Sequence, residues 1–573
     1  MKQGVQTTRQ PGQSDIHALF NLYNTGQLYQ AEVKARDLLK QYPSALVVYN
    51  VLGVSLEGQK KFEDAVQAYR KALAINPSIS EMHFNLGAVL SQLGRDDEAI
   101  TSYQRAIAIS PGLAVAHFNL ATLLQTRLLL DEAIQHYRQA VGIEPGFYEA
   151  YGSLGTALQQ QGHLDDAIAC YRQALAISDH ALGHFNLATA LRDHGGLEQA
   201  IAHYRQAIVL QPRYADAYNN MGEVFRDQGD MQQAVTCYQQ ALLITPGHQA
   251  AAFNMAQFLY DAHRFEEAIP YFEQSRQEDW QERILYCLYK SGQYPQFQQR
   301  LQVLVAQGEH VSPFLATLSA HYATNFNVAD PYRFCKTPME FVFHRSIAPL
   351  AEHNSALLTA LLHDINLTEI AERKQGRLYH GMQSAGNLFK RQEQSFKTLS
   401  ALIRQQVQEY QQHFADKDCD LMRHFPQEVE FTSSWYVRMR QGGHLTSHIH
   451  EIGWLSGCVY LALPKQAVGS NDGSIEFSTH GDEYPKMHDH FPARAIAPAV
   501  GDIVLFPSSL FHRTIPFHSD EERICIAFDI KPAVKFAKDM LSFNSMKIML
   551  LGCVNVLVTE FAEVAAWSLR GMV

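Results

Sequence analysis

With 573 residues the chain exceeds what one hydrophobic core usually covers, so two or more domains are expected. A hydrophobic share of 46%, a charged share of 18% and a formal net charge of −11 describe a soluble protein without the basic face of a general nucleic-acid binder. Eight cysteines stand singly between Cys170 and Cys553 without a C-x-x-C pair, and the polar start has no apolar stretch of signal-peptide length, so reduced thiols and a cytoplasmic location are expected.

A period close to 34 residues dominates the first half. Tyr69, Tyr103, Tyr137, Tyr171, Tyr204, Tyr238 and Phe272 recur at intervals of 34, 34, 34, 33, 34 and 34. Pro77, Pro111, Pro145, Pro212 and Pro246 close successive units, with Asp179 in the equivalent place. Each unit predicts two amphipathic helices, as in His83–Leu90 and Asp97–Tyr103, where apolar and small residues fall at helical spacing around a short Gly94-Arg95-Asp96 link. Leu-Gly or Leu-Ala in the first helix, Glu-Ala-Ile opening the second and a closing proline resemble the tetratricopeptide repeat. The array is expected over 14–312, most regular over 43–278. Its units cannot bury their apolar faces alone, so they should stack into a superhelix whose groove binds a protein or peptide partner.

Asn50, Asn85, Asn119, Asn186, Asn220 and Asn254 hold one position of the repeat, with Ser153 replacing it once. In tetratricopeptide arrays this position faces the groove, so an amide ladder there could grip the backbone of an extended peptide. Asparagine is also a common consensus residue at this place, and both readings stand at this point. The repeated aromatics are core between helices.

Past about Ser312 the period is lost, and Tyr322–Tyr332 is expected to be irregular within a connecting region at 313–344. Helical spacing returns in Ser355–Leu362 and Leu399–Tyr410, two helices expected to support a β-rich domain from outside. From Val429 short β-type runs take over: Phe431–Met439, Leu455–Pro464, Ser474–Phe477, Asp502–Phe506 and Arg523–Ile530, separated by Gly, Pro, Asn and Asp turns.

Chemistry concentrates in these runs. On an extended segment His448 and His450 project to one side, where two imidazoles can share a metal, and His512, 62 residues past His450, can return as a third ligand. Among 27 histidines a lone His-x-His would be unremarkable; the surrounding glycines, strands and distal histidine give it weight. Glu451 should face away from the pair. His444 is expected at a rim, and His480, His488 and His490 in a solvated polar loop.

The set Gly442-Gly443, His448-Ile449-His450, Trp454–Leu461, Gly473–Phe477, Gly501–Ser508, His512 and Arg523 resembles the 2-oxoglutarate and Fe(II)-dependent dioxygenases, in the bacterial group where such a domain follows tetratricopeptide repeats. The resemblance covers about 345–532 and implies a multidomain fold: an all-α tetratricopeptide superhelix followed by a double-stranded β-helix (jelly-roll) domain with supporting helices. It implies Fe(II) held by His448, His450 and His512, and 2-oxoglutarate anchored through its far carboxylate by Arg523, whose guanidinium fork suits bidentate binding. Two positions depart from the family pattern. His450 stands where a carboxylate is usual, and Cys525 where a hydroxyl residue often assists the anchor.

The reading favoured by this resemblance is an oxygenase that hydroxylates a protein substrate held by the repeats. A hydroxylase of small molecules, and a repeat scaffold with a catalytically silent cupin-like metal barrel, are the alternatives; Arg523 separates oxygenase from cupin. The apolar run Ile548–Val558, within an extension at 533–573, is eleven residues long, too short for a membrane span. Substrate and oligomeric state are not legible.

Overall fold

A computed structural model describes residues 10–277, 279–308, 312–367, 372–373, 377–426, 428–451, 453–465 and 469–532. The apolar run at Ile548–Val558 lies outside the described residues. No helix among those described is long and apolar enough to cross a membrane. The described residues divide into two compact units, one up to Ala251 and one over 252–532.

The first unit is built of helix pairs, from Gln13–Asn24 with Leu28–Gln41 to Ala215–Asp227 with Met231–Ile244. The aromatic of each second helix sets the composition of the first. Tyr69, Tyr103, Tyr171 and Tyr238 are almost fully buried, and a Cβ built on Gly53, Gly87, Gly155 or Gly222 would approach the corresponding ring to 2.3–2.8 Å. Only glycine, or alanine where the ring sits slightly back, leaves room for the tyrosine, and this is why Leu-Gly and Leu-Ala recur at that place.

The second unit begins with further helices, Phe265–Ser275, Trp280–Lys290, Tyr294–Ala306 and Pro313–Phe326. The last of these corrects the expectation of irregular chain from Tyr322. Ser312 caps its start, its hydroxyl accepting from the Leu315 N–H at 3.2 Å; Pro313 occupies the first turn, and Asn327 ends it in the left-handed region at φ 50°. Burial of Phe314, Leu315, Leu318 and Tyr322 then carries the helix through the polar residues near its end. These helices dock on the sheet region. Thr317 donates to the Ser509 carbonyl at 2.8 Å, Asn325 to that of Pro485 at 3.0 Å and Lys290 to that of Glu483 at 2.7 Å.

Among the described residues the sheet region has ten strands: β1 Phe343–Ser346, β2 Glu372–Arg373, β3 Leu378–Ser384, β4 Val429–Leu445, β5 Leu455–Ala462, β6 Ile475–Ser478, β7 Ala493–Ile496, β8 Asp502–Pro507, β9 Phe511–Thr514 and β10 Arg523–Pro532. They form a seven-stranded antiparallel sheet in the order β1-β8-β5-β10-β4-β3-β2 and a three-stranded one in the order β7-β6-β9. Every residue of β8 is buried, as in a strand covered on both faces. One face meets the core between the sheets, where Val437, Tyr460, Phe477, Val504 and Phe506 pack together. The helix Gln394–His413 buries Phe396, Leu399, Ile403, Val407 and Tyr410 at helical spacing, and Tyr410 meets Phe343 of β1 edge-on at 5.9 Å. At the turn into β8, Gly501 has φ +90° and its Cβ position is filled by the backbone of Ala351, so no other residue fits without rearrangement.

Candidate metal centre

His448 and His512 face each other across a single antiparallel bridge, each N–H donating to the other's carbonyl at 3.0–3.1 Å. Two residues further, the His450 N–H donates to the Ser508 carbonyl at 3.2 Å, which keeps the segment extended and turns His448 and His450 to one side, with Ile449 buried between them in sequence. The three rings converge, with centroids 4.3, 5.0 and 5.2 Å apart. One potential ligand atom from each falls within 4.8 Å of the others, so this set can hold a metal ion.

Each Nδ1 is already committed. That of His448 donates to the Thr446 carbonyl at 2.7 Å and that of His512 to the Leu510 carbonyl at 3.2 Å, while that of His450 bonds the Asp529 carboxylate. The Nε2 atoms remain for a shared centre. Burial pushes the His448 imidazole down to about 3, helped by the neighbouring His450. Burial and the two other rings likewise hold His512 well below the ordinary histidine range. Neutral imidazole is the metal-binding form.

The site opens into a cavity of about 490 Å³, within the usual size of a small-molecule site. Period-two alternation along β10 lines it with Arg523, Cys525, Ala527 and Asp529. Trp435, on the inward face of β4, sits 5.7 Å from the His450 ring. Arg523 is only 2% exposed. Its Nε donates to the Gly473 carbonyl at 3.0 Å, one terminal nitrogen approaches Cys525 Sγ at 3.4 Å, and the guanidinium lies 5.2 Å over the Tyr460 ring. Among the described residues no carboxylate forms an ion pair with it. The Tyr460 hydroxyl, buried beside it, makes no well-formed hydrogen bond. A buried guanidinium with no carboxylate partner among the described residues can take an anion, because a buried charge is costly without a partner.

The remaining histidines and Glu451 sort differently. His444 stacks flat on Tyr379 at 4.8 Å. His480 and His488 correct the expectation of a solvated loop: His480 bonds His321 at 2.8 Å, and His488 bonds the Thr324 carbonyl at 3.0 Å. Both therefore pin the loop to the helix Pro313–Phe326. Glu451 lines the cavity but pairs with Arg283 at 2.9 Å and is not one of the three converging ligands.

Sequence reasoning passed over Tyr460, Ser456 and Asp529. Asp529 shares the inward face with Arg523 six positions earlier, a pattern visible in the strand, but nothing local connects it with His450. Although burial raises it, the Asp529 carboxyl is held below the usual range by His450 beside it and by hydrogen bonds from His450, Ser456 and Ser433.

In the first unit, the repeated asparagines are only partly available. Asn85 donates to Asn50 at 3.1 Å, Asn119 to the Tyr103 hydroxyl at 3.3 Å, and Asn219 to Asn220 at 3.1 Å. Asn50 and Asn254 are buried, whereas Asn85, Asn119, Asn186 and Asn220 are half-buried; Asn254 belongs to the second unit.

Comparison with known families agrees with this geometry. Residues 433–529, which span all the converging groups, match the family model described as "Putative 2OG-Fe(II) oxygenase". Models of tetratricopeptide repeats match 22–78, 50–114, 148–180, 188–225 and 213–277. The chain thus matches tetratricopeptide-repeat models over much of its first half and the model of that putative oxygenase family at 433–529. No curated protein matches it. Among solved structures it is similar to YrrB, a tetratricopeptide-repeat protein with an unusual peptide-binding site, at 20% identity over 32% of this chain and 96% of that one, with a TM-score of 0.30. It is also similar to the C-terminal part of a repeat protein from Cytophaga hutchinsonii, at 16% identity over 42% of this chain and 99% of that one, with a TM-score of 0.37. PilF from Pseudomonas aeruginosa is 20% identical over 40% of this chain and 99% of its own, with a TM-score of 0.33.

Proposed function

We propose that this protein is an iron- and 2-oxoglutarate-dependent oxygenase, a hydroxylase whose repeats bind a protein or peptide substrate. The observation that carries the proposal is the presence, in one cavity, of three converging histidines and a buried guanidinium that has no carboxylate partner among the described residues. Strand order supports it. With the His448 segment placed beside β9, four neighbouring strands of the larger sheet, β8-β5-β10-β4, and the set β7-β6-β9 followed by the His448 segment would make the two four-stranded rows of a double-stranded β-helix.

His448, His450 and His512 would hold Fe(II), and Arg523 with the Tyr460 hydroxyl would take the far carboxylate of 2-oxoglutarate. Bound together with dioxygen as co-substrate, they would supply the oxidative chemistry: 2-oxoglutarate loses CO2 and takes one oxygen atom to become succinate, and the other oxygen atom becomes the hydroxyl of the substrate. The protein's part is to fix geometry and keep the site dry. Its Nδ1 bonds prevent the ligand rings from turning, and Trp435, Val437 and Phe506 wall the cavity with apolar surface. Tyr460 would replace the hydroxyl that Cys525 lacks. Seven described cysteines are free thiols, in keeping with a cytoplasmic setting.

In the first unit, Asn119, Asn186 and Asn220, all half-buried, are the amides that would pair with a peptide backbone. The bond from Asn85 to Asn50 favours a second reading, in which the ladder is packing between repeats and the substrate is a small molecule.

Succinate release from 2-oxoglutarate by the full chain with Fe(II), alone and with peptide mixtures, tests the function. Turnover stimulated by peptide is the expected result. No succinate under any condition, with the metal bound, would overturn the oxygenase in favour of the silent cupin-like scaffold.

A further inference from the structure

Asp529 stands 79 residues from His450, yet its Oδ1 bonds the His450 Nδ1 while the Ser456 hydroxyl donates to the same oxygen at 2.6 Å. Its other oxygen accepts from the Ser433 hydroxyl at 2.9 Å. The residue is 8% exposed, and among the described residues neither lysine nor arginine pairs with it. The Ser456 hydroxyl also meets that of Ser508 at 2.8 Å, so the carboxylate is held from β4 and β5 and braced from the end of β8. His450 differs in this respect from the other two rings, whose Nδ1 atoms rest on main-chain carbonyls.

We propose that Asp529 is a positioning residue that supplies, from behind His450, the negative charge which a carboxylate ligand would contribute directly. The inference rests on the reading of His448, His450 and His512 as the metal site. By accepting from Nδ1–H, Asp529 fixes the tautomer in which Nε2 carries the lone pair, and it orients and strengthens that donor. Three neutral imidazoles with one carboxylate behind them carry the same formal charge as two histidines and a carboxylate. The histidine at position 450 thus moves the charge outward by one residue without removing it.

This arrangement makes an unusual demand on substitutions. His450→Asp, which alone would build the two-histidine, one-carboxylate set, would bring a second carboxylate into the space that Asp529 already serves. Like charges at such a distance repel, so the single variant should bind metal poorly. His450→Asp combined with Asp529→Asn should recover binding, and the pair should be strongly non-additive.

The test uses the full chain with Fe(II) and with Co(II) as a coloured probe, and apo-protein thermal unfolding reports folding. Asp529→Asn should weaken Co(II) binding by about 10–100-fold, the usual effect of losing a hydrogen-bond partner behind a ligand. It should also alter the Co(II) visible spectrum and raise the midpoint potential of the bound iron, since negative charge favours Fe(III). Ser456→Ala, which spares the carboxylate, should change the spectrum less. Unchanged Co(II) affinity and spectrum in Asp529→Asn would overturn the inference. So would tight binding by His450→Asp with Asp529 intact, an outcome that remains informative even if Asp529→Asn fails to fold. Retention of metal by both His448→Ala and His512→Ala would instead overturn the underlying metal-site reading.

Discussion

In the repeats, His117 bonds His136 through their Nδ1 atoms at 2.9 Å, and His184 bonds His203 in the same way at 2.8 Å; in the sheet region no converging ring spends its Nδ1 on another histidine. One outer nitrogen of each repeat pair is occupied too, with His117 Nε2 at 3.3 Å from the Pro111 carbonyl and His184 Nε2 at 2.8 Å from Asp179. Those rings close helix pairs. In the sheet region, carbonyls and a carboxylate take Nδ1 from outside the cluster, and three Nε2 atoms are left pointing at one place. The same side chain is glue or ligand according to where its first hydrogen bond goes.

Substitution at the two kinds of site should separate them sharply. His448→Ala or His512→Ala should abolish stoichiometric Fe(II) binding, measured by metal analysis after dialysis, with the fold retained in far-UV circular dichroism. His117→Ala and His203→Ala should leave metal content untouched. Metal loss in the repeat variants, or its retention in both sheet variants, would erase the distinction.

Arg523→Met comes next in size. Losing one partner of a buried charge pair costs about 2–5 kcal/mol, so 2-oxoglutarate binding should weaken by roughly 30-fold to several thousandfold. Because the methionine would replace a buried charge lacking a carboxylate, the apo-variant should melt no lower than the parent, and added 2-oxoglutarate should stabilise only the parent. Equal ligand-induced shifts in both proteins would remove Arg523 from the site.

A third comparison concerns the asparagines. Replacing Asn119, Asn186 and Asn220 together with alanine should weaken a bound peptide by on the order of a hundredfold, from hydrogen bonds of about 0.5–1.5 kcal/mol each. Turnover of 2-oxoglutarate without peptide should be unchanged. Unaltered peptide affinity, measured by calorimetry, would make the ladder packing alone.

The smallest effect expected is a pH dependence of the repeats. Burial holds His117, His136 and His203 below the ordinary histidine range, with Glu132 partly opposing this at His136 and Arg172 adding to it at His203. The unfolded chain therefore takes up protons first. The stability due to these three neutral rings is present above about pH 6.5, the ordinary histidine value, and falls as the pH drops below it. A fall of roughly 2–4 °C in the unfolding midpoint between about pH 7 and pH 5.5 is expected. His136→Gln with His203→Gln should flatten that dependence, and an identical slope in the double variant would show that other groups carry it.

Local pattern determined much of this molecule. The 34-residue period follows from packing an aromatic ring against glycine or alanine in successive helix pairs, and alternation in β10 and around His448 fixes which side chains face inward, since both depend on neighbours within a few positions. The histidines at 448, 450 and 512 and Arg523 were legible because their spacing belongs to strands. Tertiary structure decided what depends on distant chain. It brought Asp529 behind His450, placed the Tyr460 hydroxyl beside Arg523, and drew His480 and His488 onto the helix Pro313–Phe326. It also carried that helix through residues whose local preferences favour a loop and turned Asn85 toward Asn50. Each of these is a hydrogen bond or burial made between segments far apart in sequence, whose free energy outweighs local preference only once the surrounding elements have packed.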